Sequence, residues 1–291
     1  VANGFWRPLA AFGTAKQHEV VRDMAAGRAF CAFALTEPAG GTGRDLHSRA
    51  ERHGDGWRAT GEKHLITFAD RASHLILTVA TDERGAADSL TTFLVPRHEA
   101  TGLRIDATQQ MMGLAGTGHG TVTFDGLRLD DAWRLGEVGQ GLEVAMSFLD
   151  YSRISLATCM VGTAQRAMDE AVAYARQRVT FGRPIADRQA VQVMVADMAT
   201  DLAAARALTR EAGRAFESGE PVTETAAKTK LFCQRMVAGV TDLALRVCGG
   251  VGYVRGSPIE RIYRDSRGFW FEEGTAEIQQ LVAARQVLRD G

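Results

Sequence analysis

The sequence predicts an α+β chain in which a β-barrel-like domain precedes a C-terminal four-helix bundle. Three observations carry that expectation. Short β-type runs separated by turn residues fill the first half; apolar residues switch to helical spacing after Gly139-Gln140-Gly141; and the composition, 45% hydrophobic and 24% charged over 291 residues, is that of a chain able to bury a core. The expected organisation is 1–29 as the tail of a preceding helical region, 30–141 as the β-domain and 142–291 as the bundle.

Each element has a local reason. Gln17–Ala26 is amphipathic. Strand-like runs follow at Cys31–Leu35, Trp57–Thr60, His64–Thr67, Leu75–Val79, Thr91–Val95, Leu103–Ile105 and Thr121–Phe124. His-Gly-Asp-Gly at 53–56, the Gly-rich turn 39–43 and Asp125-Gly126 punctuate them. Beyond Gly141, Ile154, Ala157, Val161, Ala164, Met168, Ala171, Val172 and Ala175 mark one face of a long helix. Pro184 is expected to open a second helix running to Ser218-Gly219, Pro221 a third ended by Gly249-Gly250, and Thr275 to cap a fourth from Ala276 to Leu288. Small-residue stripes such as Ala164, Ala167, Ala171 and Ala175 let helices approach closely, which is ordinary packing.

Charge excludes some functions. With 34 basic against 35 acidic residues, the formal net charge of −1 argues against nucleic-acid or membrane-surface electrostatics. No apolar run approaches the roughly 20 residues of a spanning helix, so a soluble protein without membrane insertion is expected. Cys31, Cys159, Cys233 and Cys248 stand far apart without a C-x-x-C pair, and the histidines lack ligand spacing. That pattern predicts no metal and a reducing, cytoplasmic compartment. Neither a phosphate-binding G-x-x-x-x-G-K-[ST] loop, a G-x-G-x-x-G strand-turn-helix nor a G-x-S-x-G elbow occurs.

What remains is a series of local patches. Thr36-Glu37-Pro38 leads from a strand into a Gly-rich turn, where backbone N–H groups can face an anion or a cofactor edge. Gly61–Thr67 reads as a turn into a strand with a hydroxyl at Thr67. Arg178–Ile185 joins two helices and combines an arginine able to hold phosphate, an aromatic residue and a forced turn. Phe271–Gln279 presents a carboxylate just before a helix N-terminus.

In order and over nearly the whole chain, these patches resemble the acyl-CoA dehydrogenase family of FAD-dependent flavoenzymes. The resemblance rests on Leu35-Thr36-Glu37-Pro38 with its glycines, Arg178-x-Thr180-Phe181-Gly182-x-Pro184-Ile185, and Gln189-x-x-Gln192 with Ala196-Asp197-Met198. Further on stand Gly249-Gly250-x-Gly252-Tyr253, Pro258-x-Glu260-Arg261-x-x-Arg264-Asp265 and Glu273-Gly274-Thr275-x-Glu277-Ile278-Gln279. It implies a middle β-domain and a C-terminal bundle, with the N-terminal helical domain of the family largely absent from these residues. It also implies FAD, an acyl-CoA substrate, an electron acceptor such as an electron-transfer flavoprotein, a role in fatty acid or lipid metabolism, and a homo-oligomer, dimer or tetramer.

The resemblance further implies residue roles. Glu273 takes the position of the catalytic base, with its own N–H as half of an oxyanion hole and Gly274 allowing close approach of the substrate. Phe33, Leu35, Thr36, Thr42, Leu65, Ile66 and Thr67 match residues lining the flavin, and Thr275 and Glu277 match nearby cofactor contacts. Arg178 and Thr180, with Phe181 and Gln189, match groups on the FAD pyrophosphate of an adjacent subunit, facing Arg246, Gly249 and Gly250. Asp150 and Arg153 match the segment touching CoA; for Arg153 an ion pair inside the bundle is the alternative. Four positions depart from the pattern: the aspartate of the turn is delayed to Asp45, Leu65 replaces an aromatic, Arg246 a glutamine, and Glu272 a tyrosine. A second carboxylate at 272 is expected to raise the pKa of the base through repulsion. The same fold also serves oxidases, monooxygenases and acyl-carrier-protein dehydrogenases, and a non-catalytic or incomplete subunit is the third reading.

Overall fold

The computed structural model describes residues 5–40, 46–81, 89–106 and 109–289. It divides into one unit running to Met111 and from Ala115 to Leu149, and a second made of Met112–Leu114 with 150–291.

The first unit is built on a mixed sheet of β1 (Cys31–Ala34), β2 (Arg49–His53), β3 (Gly56–Thr67), β4 (His74–Ala80), β5 (Leu90–Pro96), β6 (Leu103–Ile105), β7 (His119–Asp130) and β8 (Arg134–Leu135). The strand order is β6-β7-β3-β2-β4-β5-β8, with β1 running parallel to β4. β5 is buried along its whole length and β4 from Leu75 onward because both sheet faces are covered, hence their near-continuous apolar sequence. Leu75, Leu77, Val79, Phe93 and Val95 join Trp57, Val122 and Leu127 in one core. Ile76 and Leu94, on the opposite face, pack with Leu9 of α1 (Trp6–Phe12), Val20 of α2 (Ala15–Ala25) and Val144 of α3 (Gly141–Met146). A capping box between Thr14 and Gln17 starts α2.

One sequence expectation changes here, and β2 is added to the strands expected. Trp57–Thr60 and His64–Thr67 belong to one twelve-residue strand, β3, kept continuous by register shifts against β7 between Ala59 and Gly61 and between Lys63 and Ile66. β2 reads Arg-Ala-Glu-Arg-His and buries only Ala50, so it carries no apolar alternation to announce it.

The second unit holds α4 (Leu149–Gln177), α5 (Gln189–Glu217), α6 (Thr223–Tyr253), α7 (Pro258–Arg267) and α8 (Ala276–Arg289). Ala157, Ala164, Ala171 and Ala175 line the buried face of α4, and Ile154, Ala212 and Ala226 tie α4, α5 and α6 together. Pro184 does not open α5: it lies in the two-residue strand Arg183–Pro184 paired with Val179–Thr180, and a 3-10 turn at Ile185–Asp187 precedes the helix. α6 passes through Gly249-Gly250 to Tyr253, although Gly249 itself is non-helical at φ 60°. The Gly pair therefore kinks the helix. α7 starts with Pro258 in its first turn and is a helix beyond the four expected from the sequence. No described helix is long and apolar enough to cross a membrane.

Candidate active site

In the second unit, a loop at 271–275 joins the 3-10 turn Gly268–Trp270 to α8. Its backbone is unusual. Glu273 has φ 55° and Gly274 φ 89°, so a non-glycine residue occupies the left-handed region at the position offered as the base. Three side chains from three helices hold this turn by its carbonyls. Arg153 Nε of α4 donates to the Glu273 carbonyl (3.3 Å), and Gln279 Nε2 of α8 donates to the same oxygen (3.1 Å). Lys230 Nζ of α6 donates to the Gly274 carbonyl. Gln234 Nε2, one turn further along α6, fixes the Phe269 carbonyl at 2.7 Å.

Charge is concentrated around this turn. Arg153 Nη1 lies 3.0 Å from Asp150 Oδ1, and the other Asp150 oxygen accepts from the Thr223 hydroxyl (2.5 Å). Lys230 is fully buried. Burial pushes its ammonium down to about 8, with Arg153 adding repulsion while Glu273 and Glu272 pull the other way. Burial raises the Glu273 carboxyl above the usual carboxylate range, against the Ser152 hydroxyl, Lys230 and Arg153. Burial and the neighbouring Glu273 push Glu272 up to about 6, opposed by Lys230, and its Oε2 is buried without a hydrogen-bond partner. At the start of α8, the Glu277 carboxyl is held low by its own backbone N–H and by the Thr275 hydroxyl.

The first unit carries a buried constellation under Leu35–Glu37. Lys63 Nζ lies 2.7 Å from Glu37 Oε1 and 3.2 Å from the Leu35 carbonyl. Glu37 also accepts from the His47 N–H (2.6 Å), the Ser48 N–H (3.1 Å) and the Ser48 hydroxyl. The His64 N–H donates to the Thr36 carbonyl at 2.8 Å, so the stretches 35–37 and 63–64 are tied three times. Burial pushes Lys63 down to about 8 in spite of Glu37. For Glu37 burial acts upward, yet the Lys63 ammonium and the bonds from Lys63, Ser48 and His47 outweigh it and hold the carboxyl low.

The residues offered for the flavin lie as follows. Thr36 and Thr67 are partly accessible and Leu65, at φ 56°, is 40% exposed, whereas the side chains of Leu35 and Ile66 are buried. Phe33 stacks on Phe5 and meets Phe148 edge-on. Thr42 lies outside the described residues. Arg178, Thr180 and Phe181 share the hairpin after α4, with Phe181 97% exposed and Arg188 over its ring at 5.7 Å. Gln189 begins α5, and exposed Arg246 precedes the kink at Gly249-Gly250 by one turn. The turn at Glu273 is therefore joined to Asp150, Arg153, Thr275 and Glu277. The Arg178 group stands 25 residues beyond Arg153, at the opposite end of α4, about 38 Å along the helix.

Residues 32–127 match the model of the acyl-CoA dehydrogenase middle domain, and residues 139–288 match that of the acyl-CoA dehydrogenase C-terminal domain. The chain belongs to the acyl-CoA dehydrogenase family. It is an oxidoreductase acting on acyl-CoA, within a family of flavoproteins. It is 36% identical over 284 residues to the mitochondrial short-chain specific acyl-CoA dehydrogenase of Bos taurus, covering 97% of this chain and 69% of that protein. With the caffeyl-CoA reductase-Etf complex subunit CarC of Acetobacterium woodii it shares 34% identity, over 97% of this chain and 75% of that one. The butyryl-CoA dehydrogenase structure from Megasphaera elsdenii superposes with a TM-score of 0.92 at 30% identity, over 97% and 74% of the two chains.

Two features of this acyl-CoA dehydrogenase family member escape a motif reading: the buried lysines, Lys63 and Lys230. Lys230 had a local signal. It sits at i+4 from Ala226 and three or four residues before Cys233 and Gln234, on a helix face otherwise buried, where a lysine needs an interior partner. Lys63 sits in a strand whose neighbours vary in burial, and nothing in its vicinity in sequence foretells Glu37, 26 residues away.

Proposed function

We propose that the protein catalyses FAD-dependent α,β-dehydrogenation of an acyl-CoA thioester to the 2-enoyl thioester, with Glu273 as the base that takes the α-proton. One observation carries this: a carboxyl raised by burial, on a left-handed turn whose carbonyls are pinned inward by Arg153, Lys230 and Gln279. An aqueous carboxylate is too weak a base for a thioester α-proton, and desolvation narrows that gap. Pinning the carbonyls of Glu273 and Gly274 fixes the two peptide planes that follow Glu273 and so holds the turn that carries its own N–H, the backbone donor proposed for a thioester oxygen gaining negative charge. The carboxylate of Glu273 forms an O–H bond to the α-proton as the Cα–H pair becomes the new double bond. A bound flavin would supply the acceptor for the β-hydrogen, which leaves as hydride.

The residues fit an FAD. Arg178 and Arg246 are exposed guanidiniums suited to a pyrophosphate, Thr180 and Gln189 add neutral donors, and exposed Phe181 offers an aromatic face. In the first unit the accessible Thr36, Thr67 and Leu65 are assigned to the flavin ring. Because the Arg178 group stands some 38 Å along α4 from Arg153, it serves the FAD of a neighbouring copy, which makes the working form at least a dimer. Electrons pass to a separate acceptor, an electron-transfer flavoprotein, as the name of the A. woodii relative suggests.

The test is anaerobic mixing of the flavin-loaded protein with a series of acyl-CoA thioesters while the visible flavin band is followed. Bleaching by one class of thioester names the substrate. A band that no thioester bleaches, or a Glu273→Gln variant that bleaches as fast as the parent, refutes the assignment.

A further inference from the structure

Lys230 stands out among the buried groups of the second unit. It is completely inaccessible, seven residues into the longest described helix, and its ammonium meets a backbone carbonyl rather than a carboxylate. Burying an ammonium is costly, and a neutral donor such as the amide of Gln279 already reaches the same oxygen at 3.4 Å. The carbonyl by itself does not call for a charge. What does is the company around it: Glu273 and Glu272 on the loop, Arg153 from α4, and the Ser152 hydroxyl. Arg153 is already paired with Asp150. Two adjacent carboxyls, one of them with an orphaned oxygen, lie within electrostatic reach of the lysine, on the loop whose Gly274 carbonyl it holds.

We infer that Lys230 is a positioning residue for the proposed base: it anchors the Gly274 carbonyl from inside the bundle and supplies the positive charge that lets Glu273 ionise beside Glu272. The inference rests on the reading of Glu273 as base. It assigns two separable effects to one side chain, a hydrogen bond that holds the left-handed turn and a charge that sets the protonation of the base. Glutamine at 230 keeps a donor and loses the charge, methionine loses both, and arginine keeps both.

The experiment is the pH dependence of flavin reduction in rapid anaerobic mixing with butyryl-CoA, for the parent, Lys230→Met, Lys230→Gln, Lys230→Arg and Glu273→Gln. Retained flavin is read from absorbance, and the carboxyl at 273 is titrated directly by 13C NMR, with Glu273→Gln assigning its resonance. The expected result is that Lys230→Met and Lys230→Gln retain flavin but move the acid limb of kcat/KM, and the NMR titration, upward by about one pH unit. That is about tenfold in kcat/KM on the acid side. Lys230→Arg is expected to restore the parent limb. Should Lys230→Met fail to fold, Lys230→Gln carries the same expectation. Unmoved limbs and an unmoved titration in both neutral variants, with only a lower Tm, overturn the inference while leaving Glu273 as base if Glu273→Gln is inactive. A fully active Glu273→Gln instead overturns the base, and the role of Lys230 with it.

Discussion

Replacing Glu37 with glutamine tests whether the constellation in the first unit is an ion pair or merely a set of hydrogen bonds. Glu37 and Lys63 are 4% and 0% exposed, and glutamine keeps the shape while leaving the ammonium without a counter-charge. It also turns an NH2 group toward a site where the His47 and Ser48 N–H groups both need acceptors. Removing one partner of such a pair costs about 3–5 kcal/mol. Lys63→Met is expected to cost less, because Glu37 retains the His47 N–H, the Ser48 N–H and the Ser48 hydroxyl as donors. The double variant, with no charge left, should be less destabilised than the sum of the singles by about 2 kcal/mol or more.

The pH dependence supplies the sign. Lys63 is depressed to about 8 in the folded protein and falls further once Glu37 is neutral, whereas an unfolded lysine titrates near 10.4. Between those values the unfolded chain binds the extra proton, so stability rises with pH. In the parent that rise begins only above about 8; in Glu37→Gln it begins lower, at up to about 1.4 kcal/mol per pH unit. Urea unfolding followed by the fluorescence of Trp57, buried in the core of the first unit, measures both quantities. A Glu37→Gln deficit below about 1 kcal/mol, or one that stays constant from pH 6 to 10, would refute the reasoning.

The remaining expectations concern the Glu273 loop, proposed as catalytic, and the cofactor. Glu273→Gln should keep its flavin and lose turnover by about 10²-fold or more, read as the rate of flavin bleaching. Glu272→Gln removes the charge beside the base and should move the acid limb of kcat/KM to lower pH, and an unmoved profile contradicts the coupling. Gly274→Ala places a Cβ 2.8 Å from Gln279 Nε2 at φ 89°, so it should loosen the turn and lower kcat at least tenfold with little change in flavin content. Arg178→Ala should weaken flavin retention during gel filtration while leaving the α-proton chemistry of reloaded protein intact.

Much of the fold was legible because its causes are local. The stripe Ala157, Ala164, Ala171, Ala175 along α4 and the apolar runs of β4 and β5 advertise their periods within a dozen or so residues. β2 was not legible: it joins the sheet by backbone bonds to β3, and its charged side chains keep to solvent. Pro184 illustrates the opposite error, since a proline suited to a helix start also fits the strand of a tight hairpin.

At the candidate site, the sequence by itself determined which residue types are present and in what order: the Glu273-Gly274-Thr275 loop, the Arg178 hairpin, the Thr36-Glu37-Pro38 turn. Only the tertiary structure decided what surrounds them. Arg153 reaches the Glu273 carbonyl across 120 residues of chain and Lys230 reaches Gly274 across 44, from helices whose own periodicities say nothing about which partner each face will meet. A carboxyl's protonation follows from burial and from charges a few ångströms away, and those are set by packing rather than by neighbours along the chain.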